Sequence, residues 1–372
     1  MGHNDRAYTV VQWGIGGVGI HSARFVLDRD DLHMVGARCW SEGKAGKDIG
    51  TLVGRDPIGV PASNSTQELL DLDADVVVYT PRDPLLDPTL PGSPSRDWVE
   101  GVLPILASGK NVVSSIGAGM HWRHLADGEA MKAEIDKACA EGSSSFFSTG
   151  IDPGFASDSF ALMASSIAGR VEQIRTYEII DYSRYEAVET IEAIGFGKKP
   201  EDLDATAAAS VIATWGSAVH LLADGAGVEL DELTMGTEIY LAPEDYTAPS
   251  GLHIAEGTVG ALRWSLTGTV QGKPRFVVNH VNRVGSHMAP DWVQIGTEGG
   301  YRVEVDAYPP ISAEIPLGMP GGTGYGLDDA MVNTAARVVN SIDAVVNARP
   351  GFLTPADLPP VGPRHALRQG RE

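Results

Sequence analysis

The sequence predicts an α/β chain in two parts. A parallel, doubly wound sheet occupies residues 1–152, and an α+β domain with a mainly antiparallel sheet occupies 153–325. Residues 326–372 form a helix and tail that return to the first part. Three observations lead there. Up to about residue 150, short apolar runs alternate with helix-like segments, the pattern of parallel strands covered on both faces. A glycine cluster follows the first apolar run at once. After about residue 170 the runs lengthen and alternate in polarity, as strands of an antiparallel sheet do.

The elements follow in order. Residues 7–13 read as a short buried strand, and from Gly16 to about Asp28 the apolar residues Val18, Ala23, Phe25, Val26 and Leu27 fit one side of a helix. Strands follow at 32–40 and 74–79, the latter ended by Thr80-Pro81. A helix over 103–109 closes on Gly109, a strand covers 111–114, a helix over 125–141 stops at Gly142, and a strand covers 145–148. The second part offers long strands at 171–181, 234–241, 260–270, 275–284 and 300–305, with an Ala-rich helix over 201–223. Residues 309–326 are rich in proline and glycine and read as a loop. One amphipathic helix is expected over 327–348, ended by Arg349-Pro350-Gly351.

Bulk properties narrow the functions. A chain of 372 residues is long for one core and comfortable for two. The formal net charge of −21 repels a polyanion, and no basic stripe with interleaved aromatics overrides it, so nucleic acid is not an expected partner. No apolar run approaches the ~20 residues of a membrane span, and Met1–Arg6 lacks the segments of a secretory signal. The two cysteines, Cys39 and Cys139, give neither a disulfide framework nor metal-ligand spacing. A reducing cytoplasm is the expected compartment, and no metal is expected.

Gly14-Ile15-Gly16-Gly17-Val18-Gly19 is a G-x-G-x-x-G sequence. Alone it is weak in a chain with 44 glycines, but here it follows an apolar strand and opens a helix. In that context it is the fingerprint of a Rossmann dinucleotide-binding domain. Gly14 permits the turn, Gly16 lets the pyrophosphate approach, and Gly19 lets helix and strand pack closely. The helix N-terminus offers unpaired N–H groups and a favourable dipole to phosphate. NAD enzymes usually place an acid about 20 residues beyond the glycines to hold the ribose 2′-OH. Here the region reads Ala37-Arg38-Cys39-Trp40-Ser41-Glu42-Gly43-Lys44, with no acid at the strand end. Arg38, Ser41 and Lys44 suit a 2′-phosphate and Trp40 an adenine, which favours NADP. Alternatively the two cations are ordinary surface charges and Glu42 holds the 2′-OH of NAD. Thr80, Pro81, Ser114, Gly150, Asp152 and Pro153 lie at or after strand ends and are expected to line the nicotinamide side.

Three stretches carry a family resemblance: Val10–Gly19, Ser148-Thr149-Gly150-Ile151-Asp152-Pro153-Gly154-Phe155, and Val338–Ile342 together with Pro350–Pro355. On these the chain resembles the dihydrodipicolinate reductase-like superfamily, and within it the branch of 2,4-diaminopentanoate dehydrogenase and the native amine dehydrogenases. The second stretch is similar to a Gly-Thr-Gly-apolar-Asn-Pro-Gly-Phe turn of that branch. The resemblance implies an NAD(P)-dependent oxidoreductase acting on C=O or C=N of a small, mainly apolar ketone, amine or alcohol, and a homodimer. Two departures qualify it. The His-His, lysine and Ser-Gly-Thr arrangement of dihydrodipicolinate reductase itself is absent. Where the amine-dehydrogenase branch carries a glutamate, this chain has Ile116-Gly117-Ala118-Gly119-Met120, which leaves a ketone or alcohol open as the substrate.

Hydride transfer to a carbonyl needs a proton donor near the developing alkoxide. His121, in the loop after residues 111–115, is one candidate, or else a surface residue that begins the next helix. Asp181, Tyr182 and Tyr185 concentrate polar groups after a strand that also holds Glu178, and serve either in the opposite wall or as a polar strand end and helix cap. His280, Arg283 and His287 pose the same choice. A sugar or polyol dehydrogenase is a second reading, but those enzymes usually carry a Glu-Lys-Pro strand end where this chain has Ser114-Ser115-Ile116. A non-catalytic nicotinamide sensor is a third.

Overall fold

The computed structural model describes residues 6–81, 97–186, 188–203 and 207–367. These fall into two compact units. One comprises the residues up to 81 with 97–151 and 331–367; the other lies within 152–330.

In the first unit, β1 (Tyr8–Trp13) is followed by α1 (Gly17–Leu27), β2 (Leu32–Arg38), α2 (Ile49–Leu52), β3 (Ala62–Ser63), α3 (Thr66–Leu70) and β4 (Val76–Tyr79). Then come α4 (Asp97–Ala107), β5 (Asn111–Ser114), α5 (Gly128–Gly142) and β6 (Ser145–Ser148). The seven-stranded sheet runs in the order β15-β6-β5-β4-β1-β2-β3, with β15 (Gly351–Leu353) supplied from the C-terminal end. Every pairing is parallel. Four consecutive fully buried residues, Val76 to Tyr79, explain why β4 reads as an unbroken apolar run: a central parallel strand has no solvent face.

In the second unit the elements are α6 (Ser159–Ser165), β7 (Gly169–Asp181), α7 (Val188–Ile194), α8 (Ala207–Ala226), β8 (Glu232–Leu241), β9 (Tyr246–Thr247), β10 (His253–Ile254), β11 (Val259–Val270), β12 (Lys273–Arg283), β13 (Gly299–Tyr308) and β14 (Ile311–Pro316). Its six-stranded sheet runs β14-β13-β7-β12-β11-β8. All neighbours are antiparallel except β7 and β12, which pair in parallel at the centre. Ala161 of α6 and Val211, Ala218, Val219 and Leu222 of α8 pack on Ile174, Leu266, Phe276, Val278 and Val303 from one face of that sheet. Among the described residues no helix is long and apolar enough to cross a membrane.

Several elements differ from the sequence expectation for local reasons. The single helix expected over 327–348 is two, α9 (Gly326–Asn340) and α10 (Ile342–Val346). At the break the buried Ser341 hydroxyl donates to the Arg337 carbonyl at 2.8 Å, a back-bond that bends helices. The Ala-rich helix starts at Ala207, after a short 3₁₀ turn at Pro200–Asp202, and residues 204–206 of the expected span lie outside the described residues. Gly142 continues α5 instead of stopping it, and the left-handed residue is Ser143 at φ 53°. Gly142 is glycine for space: a Cβ there would stand 1.9 Å from the Leu106 carbonyl oxygen.

Candidate active site

The first unit builds a backbone cradle from the end of β1. Gly14 sits at φ +102°, and a Cβ on it would meet the Thr80 carbonyl oxygen at 2.4 Å. A Cβ on Gly19 would meet the Gly14 carbonyl oxygen at 2.1 Å, so strand and helix touch through backbone alone. The buried Gln12 amide fastens this turn to the end of β4. Its Nε2 donates to the Gly14 carbonyl at 2.9 Å and to Thr80 Oγ1 at 2.8 Å. Gly16 caps α1 without any side-chain hydrogen bond, and a Cβ on it would meet nothing within 4 Å. The side of Gly16 is thus open, and the first N–H groups of α1, which have no partner within the helix, suit a pyrophosphate there.

Beyond β2, Lys44 Nζ donates to the Ile15 carbonyl at 2.6 Å, which brings the cation onto the glycine turn. Arg38 donates to the Cys39 carbonyl and lies 5.2 Å from the centre of the exposed Trp40 ring. The Ser41 carbonyl accepts from Lys44 N and closes the intervening turn. Glu42 accepts from Asn64 Nδ2 at 3.0 Å and so has a local partner. At the other strand ends Pro81 is half-buried and Gly150 buried, Ser114 Oγ accepts from Ile116 N, and Ser148 Oγ donates to the Ile116 carbonyl at 2.6 Å. His121 is fully buried, not a surface residue. It stacks on Trp122 with ring centres 4.4 Å apart, and its Nδ1 accepts from Arg123 N.

The second unit holds a group that the sequence did not assemble. His280 on β12 and Glu178 on β7 are register partners in the central parallel pair. Glu178 is also in register with Tyr301 on β13. His280 Nδ1 lies 3.1 Å from Glu178 Oε1, and Nε2 lies 3.3 Å from Asp152 Oδ2. The side chains are 1%, 12% and 0% exposed for His280, Glu178 and Asp152. The second contact is at ion-pair distance but off the line of a hydrogen bond, so Nε2 and both Asp152 oxygens have no well-formed partner among the described groups. The indole of Trp215 stands edge-on to the imidazole at 4.6 Å, with Trp264 beyond it.

Electrostatics follow from that packing. Burial pushes the Asp152 carboxyl up to about 7, with Glu178 adding to the rise and His280 opposing it. Burial alone would strip the proton from His280, but the two carboxylates outweigh it and the imidazole is raised. Tyr301, fully buried, is pushed up by burial and then by Glu178 and Asp152. The one arrangement offers a proton store or, from its donor set, three metal ligands in reach of one another.

Of the residues expected to serve, Asp152 faces this interior cluster with its side chain wholly buried, and Pro153 follows across a cis peptide. Asp181 is a turn-former: Oδ1 accepts from Ser183 N at 2.8 Å and Gly285 N at 3.0 Å. Tyr182 packs on Tyr185 and Phe196, and burial drives its hydroxyl pKa far up. Arg283, buried, donates to the carbonyls of Met288, Ala289 and Val293, and His287 meets Tyr246 edge-on.

Residues 155–369 match the family described as the 2,4-diaminopentanoate dehydrogenase C-terminal domain. The chain belongs to this family. An amine dehydrogenase of Streptomyces virginiae is 29% identical over 357 residues, covering 94% of this chain and 96% of that protein. A 2,4-diaminopentanoate dehydrogenase of Acetoanaerobium sticklandii is 25% identical over 354 residues, covering 94% and 93%. The fold matches that of the amine dehydrogenase from Mycobacterium smegmatis with a TM-score of 0.75 and 20% identity, over 98% of each chain. Scyllo-inositol dehydrogenase from Lactobacillus casei shares the fold more loosely, at a TM-score of 0.54 and 13% identity over 92% and 89%. This family member is a dehydrogenase that works with a nicotinamide cofactor.

Proposed function

We propose that this dehydrogenase moves a hydride between NADP(H) and the C=O or C=N carbon of a small, mainly apolar ketone, amine or alcohol. Family membership over residues 155–369 carries the reading, and the open cradle at Gly16 supports the cofactor half of it. When bound, the nicotinamide supplies the hydride donor or acceptor. Gly14 to Gly19 and the α1 N-terminus would hold the pyrophosphate, with Thr80, Pro81, Ser114 and Gly150 toward the nicotinamide. The preference for NADP rests on β2, which ends at Arg38 with no acid, on Lys44 anchored at Ile15, and on Glu42 being engaged by Asn64. Of the acid–base candidates, Asp181 has Oδ1 engaged in its turn, and burial raises the Tyr182 hydroxyl, which suits a proton donor better than a base.

A carbonyl reductase is the second reading, because Ile116–Met120 contains no carboxylate to assist ammonia. A panel of ketones with NADPH or NADH, with and without ammonia, separates the two. Ammonia-dependent oxidation of NADPH supports amine chemistry, and ammonia-independent oxidation supports carbonyl reduction. Absence of nucleotide binding refutes both. We also place the protein in the cytoplasm, in keeping with its two free, buried cysteines, and as a homodimer by resemblance; light scattering that shows a monomer removes the latter.

A further inference from the structure

We propose that Asp152, His280 and Glu178 form an internal proton relay. It takes up the proton released when an amine or alcohol carbon is oxidised and returns it on reduction. The inference rests on the dehydrogenase reading above and adds the identity of the base. Oxidation of such a carbon removes a hydride, which goes to the oxidised nicotinamide, and a proton from N–H or O–H, which needs an acceptor. The relay supplies one. The N–H or O–H bond breaks, a carboxylate O–H bond forms at Asp152, and in reduction the same proton goes back. No further reactant is required.

Charge balance argues that the cluster stores a proton and is not merely a structural pair. With both carboxylates ionised and the imidazole protonated, the group carries one net negative charge. Burying that charge is costly unless a cation compensates it. Among the described residues, no lysine or arginine is among the strongest influences on Asp152 or His280. The groups facing them are Glu178 on β7, Asp158 and Ser157 after the Asp152 turn, Tyr301 on β13, Trp215 on α8 and Trp264 on β11. Tyr182, the residue after β7, adds only a neutral phenol. Adding one proton to Asp152 makes the trio neutral. The neutral and singly negative states then exchange by the loss or gain of a single proton, the property a relay needs.

Position supports the same role. Asp152 lies four residues along the chain from Ser148, the last residue of β6. Chain length alone keeps its backbone within about 14 Å of that strand end. Ligands of doubly wound sheets bind outside the carboxyl ends of the strands. Along β7 and β12 the relay then leads from Asp152 through the imidazole to Glu178, the one member that keeps some exposure. A metal is a weaker fit, because the two carboxylates lie against opposite ring nitrogens, whereas a metal would draw all three ligands to one side of the ring.

The test uses the full chain with NADP(H) and the variants Asp152→Asn, Glu178→Gln and His280→Gln. Histidine NMR titration reads His280, assigned by its loss in His280→Gln. The expected result is a protonated imidazole that persists through neutral pH in the wild type, with its midpoint lowered by about one unit or more when either carboxylate is neutralised. On the best amine or alcohol substrate, Asp152→Asn should lower kcat about a hundredfold and displace the near-neutral limb of its pH profile, with NADPH affinity unchanged. An unmoved His280 midpoint, an unchanged pH profile, or a stoichiometric divalent ion whose removal abolishes activity would overturn the proposal. Should Asp152→Asn fail to fold, Glu178→Gln carries the same comparisons. If no substrate of the panel turns over, the functional reading fails, and the NMR arm alone decides whether the cluster holds its proton.

Discussion

Two glycines three residues apart should fail in opposite ways when given a methyl group. At Gly19 the added Cβ would stand 2.1 Å from the Gly14 carbonyl oxygen and 2.8 Å from Thr80 Oγ1. Backbone on one side and the α1 helix on the other leave little to give, so Gly19→Ala should cost about 1–3 kcal/mol or more through overpacking. At about 2–4 °C per kcal/mol for a unit of this size, that is a clear drop in Tm. At Gly16 the Cβ would meet nothing within 4 Å, and the backbone is extended, at φ −111° and ψ −156°. Gly16→Ala should therefore fold at least as well, gaining up to about 1 kcal/mol from a less flexible unfolded chain.

Its cost should appear on binding, because the methyl occupies the space through which a pyrophosphate reaches the first N–H groups of α1. Losing one or two hydrogen bonds to a charged group, about 1.5–3 kcal/mol each, weakens NADPH binding at least tenfold. Thermal denaturation and a fluorescence titration with NADPH, run on both variants, read the two effects. Wild-type affinity in Gly16→Ala would show that the turn does not hold the pyrophosphate. A Tm loss there matching that of Gly19→Ala would show that the cradle is a packing feature.

Lys44→Ala should weaken NADPH more than NADH, by about tenfold, as expected for one lost cation at a 2′-phosphate. Equal weakening of both would assign Lys44 to the Ile15 carbonyl alone. The buried cluster should also show in stability against pH. Asp152 and His280 both bind protons more tightly folded than unfolded. The Asp152 contribution is full below the ordinary carboxylate value and falls as pH rises through about 7, and that of His280 is full below the ordinary imidazole value and is lost as pH rises through its raised folded value. Asp152→Asn should accordingly gain Tm relative to wild type at pH 9 compared with pH 5, and a constant difference would refute the burial argument. Asp31, held low by Arg29, and Asp357, held low by the Thr354 backbone and side chain and by Arg349, act in the other direction. Their folded values lie below the ordinary one, so their stabilisation is present above it and lost as pH falls through the folded values; Asp31→Asn and Asp357→Asn should flatten the acid limb of a Tm–pH curve.

What the sequence could and could not disclose follows from the range of the interactions involved. The glycine turn is a local object: six residues of strand, a turn needing φ > 0 at Gly14 and a helix start at Gly17 are all readable in one window. The buried cluster was less legible because its parts are joined by sheet register. Nothing local says that β7 and β12 pair in parallel with residue 178 opposite 280, or that the turn after β6 delivers Asp152 to the same point. Read locally, Asp152 belongs to the cofactor wall, and Asp181 and Tyr182 sit beside Glu178 in the chain but serve the turns that follow β7 and β12. A usable signal was nonetheless present. On β12, His280 shares its parity with Phe276 and Val278, which pack in the core, and on β7 Glu178 shares its parity with Ile174 and Thr176, both buried. A titratable residue on the apolar stripe of a strand must find a partner inside or leave a charge unpaid in low dielectric. Two such residues in one sheet are each other's most economical partner. The third, Asp152, stands where the resembling branch carries an asparagine, so the buried imidazole meets an ionisable group there in place of a neutral amide.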